Sequence, residues 1–179
     1  METTRYFHQD HKDLVNEAAC IAEEVTSDFF KLSPSHWRRA RYDILTLEAL
    51  RDEEISPHAL ALVAKYDGQH KDRLLRSAMF DFYRVCLQDH NILKTLQQVD
   101  DLSLFPLLLY IITHELVHIV RFSQFQALFE TPEEQKQEEE RRVHRLTQKI
   151  LARLKVRDLP PVMRYYDERT QGGLQYANL

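Results

Sequence analysis

Leu107-Leu108-Leu109-Tyr110-Ile111-Ile112-Thr113-His114-Glu115-Leu116-Val117-His118-Ile119-Val120 is the stretch on which the reading of this chain turns. Apart from Tyr110 and Thr113, every residue outside His114, Glu115 and His118 is aliphatic. A helix that is apolar on every side is a buried one. A buried helix carries polar groups only where something requires them, because an unpartnered carboxylate there costs on the order of several kcal/mol. Residues four apart lie on one helical face, so His114 and His118 present two imidazoles to one point. Glu115, beside the first of them, is placed to take a proton from a metal-activated water without being a ligand itself. Five residues thus supply two metal ligands and a general base.

Working outward, the chain shows helical periodicity nearly everywhere. Leu14, Ala18, Ile21, Ala22, Val25 and Phe29 recur at three- and four-residue steps and predict a helix over about 8–31. Further helices are expected from Trp37 to about Leu50, from the Ser56-Pro57 start to about Gly68, and over about 70–88, 91–98 and 104–127. Asp67-Gly68 reads as a helix stop rather than a hairpin turn. Thr131-Pro132-Glu133-Glu134 reads as a capping box opening a helix that runs to about Leu154, before Pro160-Pro161. The fold class expected is mainly α with at most a small β element. It forms a single domain over 1–179: a helical part over about 1–100, metal-site helices over 101–155 and a polar tail over 156–179, extended or partly disordered.

At the His114–His118 segment the chain resembles the zincin metallopeptidases, whose extended signature asks for uncharged residues between and around the two histidines. The resemblance covers about residues 107 to 151 and implies a zinc-dependent hydrolase, a peptidase, acting on a peptide or protein substrate. One branch of that group continues with glycine three residues and histidine six residues after the second histidine. Here Arg121 and Gln124 stand at those positions, which excludes it. The gluzincin branch takes its third ligand from a glutamate on a following helix, some twenty residues on. Glu138, Glu139, Glu140 and His144 lie on such a helix.

Val143, Leu146, Ile150 and Leu154 mark the apolar face of that helix. At ~100° per residue Glu138 points away from it, and Glu139 and Glu140 flank it on opposite sides. Glu140 shares its side with His144 and Thr147. Gluzincins commonly carry a supporting carboxylate four residues after the ligand; here that position is His144. Glu140 is therefore the preferred third ligand, His144 the alternative or a supporting residue, and Glu139 stands behind both. Zincins also use a group that stabilises the developing oxyanion, for which Tyr165, Tyr166 and Tyr176 are available, and Met163-Arg164-Tyr165-Tyr166 has the character of an edge strand. The scarcity of strands in this reading is a difficulty for a peptidase, since most zincin peptidases hold the substrate backbone along an edge strand.

Two other readings compete. Glu115-x-x-His118 is also the unit of di-iron carboxylate bundles, but the only near-repeat, Asp67-x-x-His70, straddles a glycine. The other is a helical metal-binding or interaction protein without turnover. Formal net charge is -4, so no basic footprint for a nucleic acid is present; Arg38, Arg39 and Arg41 read as a solvated face. The apolar run from Leu102 to Ile112 is shorter than the ~20 residues a bilayer requires. Cys20 and Cys86 read as two buried free thiols, and the first residues do not resemble a signal peptide, so a cytoplasmic protein is expected without a membrane partner.

Overall fold

The computed structural model describes residues 5–69 and 79–171. Helices dominate, and a three-stranded sheet joins them. The central element is α4, Leu104–Ser123, in which every residue from Pro106 to Arg121 is buried. Around it pack α1 (Gln9–Phe30), α5 (Glu133–Leu151), α6 (Leu159–Gln171) and one face of the sheet. The largest core cluster draws residues from Phe7 to Tyr166, with Leu107, Leu108, Leu109, Ile112, Leu116 and Ile119 of α4 fully excluded from solvent. By length and composition α4 could cross a membrane, contrary to the expectation from the shorter run, but 89% of its apolar window is covered by the rest of the chain.

The apolar stripe expected on α1 is present: Val15, Ala18, Ala22 and Thr26 are buried, one or two turns apart. The helix ends at Lys31, whose left-handed φ of 54° lets the backbone fold back on the last turn. A short α2 (His36–Arg39) follows, and Arg38, Arg39 and Arg41 are exposed as expected.

Three expected helices are not formed. The Trp37–Leu50 segment gives α2, β1 (Arg41–Leu45) and a 3-10 turn at Leu47–Ala49. The Ser56–Gly68 segment gives β2 (Ala61–Gln69), so Asp67-Gly68 lies inside a strand. Ser56 does accept bonds from His58 N (3.3 Å) and Ala59 N (3.0 Å), a helix-start pattern, but the chain then extends. The described part of the 70–88 segment is β3 (Met79–Leu87); Leu74, Leu75 and His70 lie outside the described residues. The order is β1-β3-β2, with β1 parallel and β2 antiparallel to the middle strand.

The physical reason is in β3 itself. Phe80, Phe82, Tyr83 and Val85 favour a pleated surface, and Tyr83, Val85 and Leu87 alternate toward the core. Arg84, on the opposite face, stands directly across from Asp43 of β1 and bonds it at 3.0 and 3.1 Å. The same guanidinium reaches buried Glu54 at 3.1 Å. Burial pushes the Glu54 carboxyl up, but bonds from the Arg51 N–H, Tyr66 and Arg84 outweigh it and hold it below the usual range.

Where β3 enters α3 (Asp89–Gln98), Gln88 and Asp89 are fully buried. Asp89 accepts the N–H of Phe7 at 2.9 Å and of Leu47 at 3.0 Å, tying three distant segments together. The tail also differs from expectation. Residues 159–171 form α6 rather than an extended tail or edge strand, because Pro160 and Pro161 fall in its first turn, where no N–H is needed. α5 opens at Glu133 behind Pro132, without a side-chain cap from Thr131. Of the two free cysteines, Cys86 is buried but Cys20 is exposed.

Candidate metal centre

The site is built where α4 and α5 run antiparallel. His114 and His118 project from α4 with ring centroids 4.9 Å apart, and Glu140 of α5 lies across from both. His114 Nε2 is 3.1 Å from Glu140 Oε2, and His118 Nε2 is 2.9 Å from Glu140 Oε1. Both histidines are buried, at 7% and 6% exposure. Their ligand atoms lie within 4.8 Å of one another, so the three residues could hold a metal ion. Ligands of a tetrahedral zinc ion, at ~2.0–2.1 Å from the metal, stand about 3.3 Å apart. The two histidine–carboxylate spacings, 3.1 and 2.9 Å, need only a small expansion to admit one.

The two rings direct one nitrogen each at Glu140. Nδ1 of His114 and Nδ1 of His118 are buried and have no hydrogen-bond partner, so the rings spend their polar contacts on the Nε2 side. Burial pushes the Glu140 carboxyl up, but the imidazoles of His118 and His114 outweigh it and hold it well below the usual carboxylate range.

Glu115 stands beside the cluster rather than in it. It is 7% exposed and lines a cavity of about 370 Å³ together with His114, His118 and Glu140. Burial pushes its carboxyl up to about 7, with His114 opposing the rise and Glu140 adding to it. Ala61, Leu62 and Val63 of β2 form one wall of this cavity. β2 is an edge of the sheet, with no further strand beside it among the described residues. The edge strand whose scarcity counted against a peptidase is thus present and borders the site. Its misreading as a helix hid it.

The neighbouring candidates have other partners. His144 is not among the convergent ligands: its Nδ1 bonds the Tyr110 hydroxyl and its Nε2 meets Asp167 at 3.0 Å. Burial is the main reason its pKa falls below the usual value. Glu139 is paired with Arg121, including Nη2 to Oε2 at 3.1 Å. Glu138 makes an exposed contact with Arg142 one turn on. Tyr166 is buried, lies with His114 and Glu115 around a small void, and stacks on Tyr110 at 3.8 Å. Tyr165 packs instead under Arg169, 4.8 Å from its ring, and Tyr176 lies outside the described residues. Asp67 is on a strand, so the helical near-repeat needed by a di-iron bundle is not formed.

Arg121, Tyr110 and Asp167 were not singled out as site residues by the sequence. A signal existed for Arg121, since a charge on an otherwise apolar helix must find a partner. Compared with protein families, curated proteins and solved structures, the chain matches none.

Proposed function

We propose that this protein is a zinc-dependent hydrolase of the zincin type, acting on peptide bonds, with His114, His118 and Glu140 as metal ligands and Glu115 as general base. The observation that carries the reading is the convergence of the three ligand atoms on the wall of a cavity that Glu115 also lines. A zinc ion held there supplies Lewis acidity, activating water as a nucleophile and polarising a carbonyl.

The remaining work falls to side chains of this chain. Glu115 takes the proton from the attacking water and returns it to the leaving amine. Its burial suits this, because a carboxyl with a raised affinity for protons accepts one near neutral pH. The free edge of β2 at Ala61–Val63 aligns an extended substrate backbone by strand addition, placing one carbonyl at the cluster. Tyr166, which shares a small void with His114 and Glu115, is assigned as the donor to the developing oxyanion. The 370 Å³ cavity suits a few residues of an extended chain rather than a folded surface.

A mixture of random peptides tests this. The protein loaded with one equivalent of zinc is expected to cleave internal peptide bonds, and a strong chelator is expected to abolish cleavage, with zinc restoring it. Absence of any cleavage by the zinc-loaded protein overturns the hydrolase assignment and leaves a metal-binding module.

A further inference from the structure

The polar groups buried between α4 and α5 lie in one line. Passing along α4, Tyr110 meets His144, His114 and His118 meet Glu140, and Arg121 meets Glu139. The partners descend along α5 as the residues ascend along α4, so the contacts form the rungs of an antiparallel ladder. The candidate metal cluster occupies the middle rungs.

Both outer rungs are anchored beyond the helix pair. Arg121 is 6% exposed, and besides Glu139 it reaches the side chain of Gln126 at 3.1 Å and its carbonyl at 3.3 Å. A guanidinium held on several sides in a buried setting has little freedom to shift. At the other end His144 is held between Tyr110 and Asp167 of α6. Tyr110 is clamped in turn by the Tyr166 ring stacked on it at 3.8 Å and 13°. Slipping α5 by one residue would turn Glu140 ~100° away from the imidazoles. Glu139 and His144 flank Glu140 on either side in sequence, so fixing both fixes that rotation.

We propose that Arg121–Glu139 and Tyr110–His144–Asp167 are two clamps that position Glu140 against His114 and His118. They set the affinity of the site for a metal without touching it. This inference rests on the metal-site reading above. These five are positioning residues, and their effect must pass through Glu140.

Cobalt(II) tests the proposal, since its affinity can be measured by competition with a chromogenic chelator and its visible bands report ligand geometry. Tyr110→Phe, Glu139→Gln and Asp167→Asn are made in the native chain and again in a Glu140→Gln chain. In the native chain each is expected to weaken cobalt binding about 10–100-fold and to alter the visible bands. In the Glu140→Gln chain the same changes are expected to cost less than about twofold, since the group they position is gone. Asp167 is half-exposed, so Asp167→Asn carries the test even where Tyr110→Phe impairs folding. Unchanged affinity in the native chain, or equal losses in both chains, overturns the proposal. A native chain that binds no cobalt overturns the metal-site reading itself, and this inference with it.

Discussion

Glu115→Gln is expected to keep the metal and lose the reaction, with kcat/KM falling about 10²–10⁴-fold, the range general acid–base catalysis supplies. Glutamine has nearly the shape of glutamate and can accept a hydrogen bond, but it cannot take up a proton. The fold should tolerate it well. Burial pushes the Glu115 carboxyl up to about 7, meaning that the protein surroundings disfavour the charge, and a neutral isostere removes that penalty. The measurement pairs peptide cleavage with metal content on the same sample. Retained cleavage contradicts the role of general base. Loss of the metal together with activity would make Glu115 a ligand instead.

Glu140→Ala carries the second large effect. It is expected to weaken zinc binding by roughly 10³-fold, beyond the 10–100-fold typical of groups that act on a metal only through its ligands. The reason is geometric: Glu140 supplies the only carboxylate oxygens within hydrogen-bonding distance of both Nε2 atoms among the described residues. Its removal also leaves both buried Nε2 atoms without the carboxylate they meet. His144→Ala is expected to fall in the smaller range, because both ring nitrogens of His144 already have partners in Tyr110 and Asp167. Competition with a zinc-binding dye orders the two. Zinc retained by Glu140→Ala and lost by His144→Ala would reverse the assignment.

The sequence made α4 legible because two signals agreed there. From Leu107 to Val120 it is mostly aliphatic in every direction, and His114, Glu115 and His118 within that stretch fall at the spacing of a metal site. The position of Glu140 was legible for a related reason. Helical angles group it with His144 on one side of α5, and the structure brings that side to α4, with Glu140 against the histidines and His144 one turn further on. What local periodicity could not show was pairing across long separations. β3 carries Phe80, Phe82, Tyr83 and Val85, a composition suited to a strand, yet the same apolar residues also fit steps of three and four. Its pairing with β1 spans 41 residues between Asp43 and Arg84, and no window along the chain contains that contact. The edge strand beside the site was therefore missed along with the sheet.

The double proline misled in the opposite sense. Pro160-Pro161 was read only as a barrier, yet α5 already ends at Leu151, well before it. Proline is equally a starter, and with Leu159, Val162 and Tyr166 turned inward the segment becomes α6 and brings Tyr166 beside His114 and Glu115. The buried polar contacts at Asp89 and Arg121 share one obstacle. Each joins segments whose proximity is decided by the tertiary fold, and the residue types alone say only that a partner must exist.

The central claim, that a zinc ion sits between α4 and α5, is tested most directly by anomalous scattering at the zinc edge from crystals of protein purified without added metal. One zinc peak per chain is expected, within ~2.0–2.2 Å of His114 Nε2, His118 Nε2 and a Glu140 oxygen. No peak at that position, or a pair of iron ions in its place, would contradict it.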